Sequence, residues 1–349
     1  MIDKVLKFFL LISPLCYIFG ESLNKFDTKV FHIFCISLFI GSLYDYQKRS
    51  MRSININKPV LYFFLICLFS IMTFRFNDII VATTIEYFLA LYCMVMIFKY
   101  AKDPKEYYNF IVYACVINMT IFVIQYLGYN PILKNSHEVL FGANLGNIPR
   151  LTTYFAIISP ILYSNCLVAL ILAIIIAFLN EPQFASIGIM IMIIFINVDS
   201  KLFRCAVIAL GVYFLAKYHA KIIYSFKVRG VICKPVIDDF FNRPLIGYGI
   251  GVFPYAETTD PLSDKTLNSS VILFGVRGGI MMFVWMGYIF KIFYKNFKKT
   301  IPHLCVLSIF ILSFVEYPIE IKKLWITMIS LMAFSMIEIY KNKEIKKNG

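Results

Sequence analysis

The stretch Thr153-Tyr-Phe-Ala-Ile-Ile-Ser-Pro160-Ile-Leu-Tyr-Ser-Asn-Cys-Leu-Val-Ala-Leu-Ile-Leu-Ala-Ile-Ile-Ile-Ala-Phe-Leu179 contains no acidic or basic side chain. About 20 helical residues, within a range of about 17–25, cover the hydrocarbon of a bilayer, so this run reads as one membrane span. The same reading gives ten further candidates, at 5–20, 30–44, 59–74, 79–98, 107–127, 183–199, 203–218, 269–290, 302–317 and 322–340. Spans this dense leave no room for a soluble body.

Composition agrees. Of 349 residues, 60% are hydrophobic and 15% are charged, whereas a soluble domain averages about 45–50% and about 25%. A mean hydropathy of +0.76 over the whole length excludes one anchor on a soluble domain. The expected fold is all-α: one integral membrane domain over 1–349, with about eleven or twelve transmembrane helices and one large outward loop. Lys4 and Lys7 precede an apolar run as in a signal peptide, but further spans follow at once. The segment therefore reads as an uncleaved first helix.

The net charge of +14 does not point to nucleic acid, because no soluble stretch is long enough to form a binding domain. Lys and Arg flanking spans on the cytoplasmic side explain it better. The nine cysteines (16, 35, 67, 93, 115, 166, 205, 233 and 305) form no CxxC pair and read as small apolar packing residues. Four scattered histidines without HExxH give no zinc site. No metal and no cofactor is expected.

The positive-inside bias places Lys4 and Lys7 inside, then Lys48, Arg49, Arg52 and Lys58, then Lys99, Lys102 and Lys105, and then Lys217, Lys221, Lys227, Arg229 and Lys234. The cluster Lys291, Lys295, Lys298 and Lys299 and the basic tail at 341–349 also belong inside. Eleven spans would put the tail outside. A further crossing is therefore expected between 217 and 269, with both termini cytoplasmic. Segments 128–152, 199–204 and 238–268 then face outward, and chemistry is sought there.

Each outward segment carries cations. Arg150 follows Phe141-Gly-Ala-Asn-Leu-Gly-Asn-Ile-Pro and opens a span. It is either an interfacial anchor or a phosphate ligand at a cavity mouth, since Arg binds phosphate bidentately. Asp199-Ser-Lys201-Leu-Phe-Arg204 places two cations where the charge bias disfavours them. Either one has a task, or an Asp199–Arg204 or Asp199–Lys201 pair neutralises a short turn. The third segment holds Asn242-Arg243-Pro-Leu-Ile-Gly247-Tyr-Gly249-Ile-Gly251. Its glycines lack the strand–helix context of a dinucleotide fold and suit a sharp backbone turn at the bilayer. The next span carries Gly275-Val-Arg277-Gly278-Gly279, and an arginine inside an apolar run is a functional candidate by default.

Together these residues resemble the O-antigen polymerase and ligase superfamily, bacterial inner-membrane enzymes of about a dozen helices, over roughly 142–290. Arg150 matches an outward Arg that follows a Gly-rich loop and precedes a span. Ser200-Lys201, with Arg204 nearby, matches a Ser-Arg pair. Asn242–Gly249 matches an Arg/Asn-Pro-Leu-x-Gly-x-Gly segment of the large periplasmic loop. Asn268-Ser269 and Gly275–Gly278 match the His-Asn-Ser and Gly-x-x-Gly patterns. Leu267 stands where the family has His, and the usual acidic residue near Gly278 is absent. The first departure weakens the ligase reading, because a base next to the acceptor is placed at that His, and favours polymerase.

The resemblance implies glycosyl transfer on the periplasmic face, from a polyprenyl-diphosphate-linked oligosaccharide to a sugar hydroxyl of a second lipid-linked repeat. Charge develops on the diphosphate as the anomeric bond breaks, and arginines can stabilise it without a metal. Arg150, Arg204 and Arg243 are the expected catalytic residues. Lys201, Gly247, Gly249, Asn268 and Arg277 are the expected substrate-binding residues. Asp199, Glu138, His137 and Glu257 are all available as a base, and none is singled out. The implied partners are the lipid-linked glycan, the bilayer, a chain-length regulator and a flippase. Alternatives are a ligase that passes glycan to lipid A core, and a flippase or secondary transporter. A transporter should show related halves and mid-span ionisable residues, whereas Glu86 is an isolated exception here.

Overall fold

The computed structural model describes residues 1–15, 26–46, 57–73, 78–129, 148–179, 183–201, 240–245, 247–250, 270–315 and 324–348, with separate positions between 204 and 238. Among these residues the chain is helical and contains no strand. The helices are α1 (Ile2–Ile12), α2 (Phe26–Tyr46), α3 (Asn57–Thr73), α4 (Asp78–Tyr100), α5 (Lys105–Tyr126), α6 (Ile148–Asn165), α7 (Leu167–Leu179), α8 (Phe184–Asn197), α9 (Ser270–Asn296), α10 (Ile301–Val315) and α11 (Trp325–Asn348).

Segments Ile80–Tyr100, Lys105–Tyr126 and Gly275–Asn296 are long and apolar enough to cross a membrane, and several shorter helices are apolar as well. In α7, Ala169, Leu170, Ala173, Ile176 and Ala177 face inward, while Leu167, Val168, Ile171, Leu172, Ile175 and Leu179 are exposed. In water an amphipathic helix puts charge on its outer face. Apolar side chains on both faces fit a membrane-embedded protein.

Polar contacts define one end of the bundle. The Met1 amine pairs with Asp45 at the end of α2 (3.0 Å). The Tyr107 hydroxyl donates to Asp3, Lys7 pairs with Glu106 (3.4 Å), and Lys341 of α11 pairs with Asp103 (3.5 Å). Both ends of the chain therefore lie on one face, called here the termini face.

Helix α6 is the centre. Every residue from Leu151 to Leu162 is buried, with α5, α7, α8 and α10 packed round it. Pro160 lacks the N–H that would reach Ala156 O, and Ser159 Oγ donates to that carbonyl instead (2.8 Å).

The structure differs from the sequence reading at 153–179. This run is two helices joined at Cys166. Tyr154 Oη donates to Ile111 O (3.4 Å). Further along α6, the Ile161 backbone bonds Cys305 near the start of α10, within electrostatic range of Tyr108 at the start of α5. Helix α6 thus runs toward the termini face. Helix α8 also ends there, because Lys299 Nζ in the α9–α10 turn donates to Ile196 O (2.6 Å). Helix α7 therefore runs away from that face and α8 returns, each about 20 Å long at 1.5 Å per residue. The remaining helical positions from 201 to 223 run back along α8, since the Tyr218 ring lies 5.7 Å from that of Phe184 at the start of α8.

The run 153–179, expected as one span, is therefore two helices, and the crossing expected between 217 and 269 falls largely outside the described residues. Asp199 and Arg204 lie at the end of α8 that Lys299 reaches, on the termini face.

Candidate functional site

The site is built on a break in α9. Gly279 takes φ 63° and ψ −162°, a conformation that only glycine adopts readily. In an unbroken helix the Ile280 N–H would bond Val276 O. Here it donates to Pro244 O (2.8 Å), while Val276 O accepts from Tyr248 N–H (3.0 Å) and Arg277 O accepts from Gly249 N–H (2.9 Å). An unsatisfied carbonyl away from water costs several kcal/mol. The loop supplies the missing donors, so the Pro244–Gly249 motif and the Gly275–Gly279 motif form one backbone lattice.

Glycine is required at the contact. A Cβ on Gly247 would lie 2.2 Å from Val276 O, and its φ is +62°. The turn that presents it is closed by Gly247 N–H donating to Arg243 O (2.9 Å). Ile250 N–H then reaches Ser70 Oγ of α3 (3.2 Å), and Trp285 Nε1 donates to Pro59 O (2.9 Å). Helix α3 is thereby clipped to the loop at one level and to α9 at another.

The cations divide between two ends. Arg277 is 2% exposed, at the break itself. Arg243 is exposed, with its guanidinium carbon 5.0 Å from the centre of the Tyr248 ring. Arg150 opens α6 half-buried, its Nε shielded from solvent, at the end of the bundle opposite the termini face. These three share an end with Gly247 and Gly249. Arg204 and the exposed Lys201 lie on the termini face. Arg204 Nε donates to Val198 O (2.9 Å), its Nη2 lies 3.6 Å from the exposed Asp199, and its guanidinium covers the Phe195 ring at 5.6 Å. A cation on the last carbonyls of a helix is a C-terminal cap, which is the local task of Arg204. Asn268, His137, Glu138 and Glu257 lie outside the described residues. Among the described residues no group of three His, Cys, Asp or Glu could hold a metal.

The lattice continues into apolar space. Ile250 and Met282 pack with Phe63 and Trp285, and the last two line a cleft of about 170 Å³ between α3, α4, α9 and α11, with Tyr87, Leu91, Met94 and Met328. Sequence reasoning missed Ser70, Tyr248 and Trp285. Tyr248 lies between two flagged glycines, and that position was its available signal. No protein-family model matches the chain, and no curated protein matches it.

Proposed function

We propose that the chain is a membrane glycosyltransferase of the O-antigen polymerase type, which joins polyprenyl-diphosphate-linked oligosaccharide repeats at the outer face of the bacterial inner membrane. One observation carries the reading: Arg277 and Arg243 sit on one backbone lattice, and that lattice is continuous with an apolar cleft. A ligand with an anionic head and a long apolar tail suits both parts. The bond between the anomeric carbon and the diphosphate breaks, and an acceptor hydroxyl oxygen bonds that carbon and gives up its proton. The polyprenyl diphosphate leaves with the electron pair. Arg243, Arg277 and Arg150 stabilise that charge, and Gly247 and Gly249 hold the loop in place. Arg204 and Lys201 take no part in this version of the site, because they lie at the other end of the bundle.

The test is reconstitution. Purified protein in liposomes with lipid-linked repeats should yield a ladder of lengthened lipid-linked glycans, and Arg243→Ala and Arg277→Ala should abolish it. A protein that moves these lipids between leaflets without lengthening them is a transporter. One that transfers glycan only to added lipid A core is a ligase. Either result overturns the proposal.

A further inference from the structure

We infer that Tyr248 is a positioning residue, whose ring holds the Arg243 guanidinium in the orientation that receives phosphate; this rests on the diphosphate reading above. The Tyr248 backbone is fixed to α9 through its N–H on Val276 O (3.0 Å), and Gly247 N–H on Arg243 O (2.9 Å) fixes the turn that carries both side chains. The ring packs against Val276 in the group that also holds Phe240 and Ile272, and Phe240 is braced by Phe283 (centroids 5.7 Å). The ring is therefore a half-buried shelf braced from behind, and Arg243 above it is exposed. An arginine side chain loses substantial rotamer freedom when it binds. The ring holds the guanidinium carbon 5.0 Å from its centre and so places the group in advance, and its N–H groups can fork two phosphate oxygens.

The contact with Arg243 is made by the ring face, so a phenyl ring should serve as well as a phenol. The experiment measures inorganic pyrophosphate binding by calorimetry to the full-length protein in nanodiscs. Tyr248→Phe should bind within about twofold of wild type. Tyr248→Leu should bind about two- to fivefold more weakly, the loss one exposed cation–π contact carries. Arg243→Ala should bind more weakly still, and adding Tyr248→Leu to Arg243→Ala should cost nothing further. A purely structural ring would instead lower the affinity of Arg243→Ala again. That result, or wild-type affinity in Tyr248→Leu beside a weakened Arg243→Ala, overturns the positioning role and leaves the diphosphate reading standing. No pyrophosphate binding by wild type, or none lost in Arg243→Ala, overturns both.

Discussion

Gly249 donates its backbone N–H to Arg277 O across 2.9 Å, so a loop residue completes a helix more than twenty positions further along the chain. The bond joins two motifs that each look like a local turn in the sequence. It also places the buried Arg277 and the ring-contacting Arg243 on one backbone support.

The tightest point of that support is Gly247. A Cβ there meets Val276 O at 2.2 Å with φ already at +62°. Gly247→Ala should cost about 2–5 kcal/mol, combining about 1–2 of left-handed strain with about 1–3 of overpacking. Gly287, in the same helix α9, has open space around its Cβ, and Gly287→Ala should change stability by no more than about 1 kcal/mol. Thermal unfolding of the two variants in detergent checks this. Equal midpoints would remove the steric argument.

Gly279 should act on the loop rather than on the helix alone. Alanine disfavours φ 63° with ψ −162°, and a regular α9 would return Ile280 N–H to Val276 O. The Tyr248 and Gly249 amides would then lose their acceptors. Hydrogen exchange on Gly279→Ala should show faster exchange at these two amides, with α6 protected as in wild type. Unchanged protection would mean that the loop is held by its side chains instead.

The sidedness of Ser200 separates the structure from the hydropathy reading. Lys299 on Ile196 O holds the end of α8 at the termini face, while Leu245 follows Pro244 at the α9 break. In a cysteine-free background, Ser200→Cys should be labelled by an impermeant maleimide from the side that labels the termini. Leu245→Cys should be labelled only from the other side. Labelling of both from one side would refute the two-helix reading of 153–179.

Long uncharged runs report lipid contact, and the helical class follows from them. Hydropathy averages across a joint, however, so Asn165-Cys166 did not interrupt the 153–179 run. The polar Asn165 and a length beyond one crossing were the signals available. The Arg-Pro-Leu-x-Gly-x-Gly and Gly-x-x-Gly segments were visible as motifs because backbone geometry demands glycine. Their pairing was not visible, because backbone hydrogen bonds leave no mark on residue identity. Arg204 is ambiguous for a related reason: a cation beside a helix end serves as a cap or as a ligand with the same sequence.

Arg204 can be separated from the site by mutation. Arg204→Ala loses the bond to Val198 O, and a lost bond from a charged donor costs about 1.5–3 kcal/mol. It should lower the thermal midpoint and leave pyrophosphate affinity unchanged, whereas Arg243→Ala should do the reverse. Weakened pyrophosphate binding in Arg204→Ala would return this residue to the anion site.

The cleft makes a prediction that separates tail from head. Ala90 and Trp285 both line it, and Ala90→Phe would fill much of the space that an apolar chain needs. Filling an open cleft adds buried surface without displacing packed side chains, so stability should stay within about 1–3 kcal/mol of wild type. Binding of farnesyl diphosphate should fall toward that of inorganic pyrophosphate, while pyrophosphate itself binds as in wild type. The difference between the two ligands measures the apolar contribution, about 0.8 kcal/mol for each CH₂ buried. If Ala90→Phe leaves the preference for farnesyl diphosphate intact, the tail lies elsewhere and the cleft is only a gap in the packing. If it weakens both ligands equally, the cleft and the α9 break move together, and Trp285, clipped to Pro59 O, is the residue that couples them.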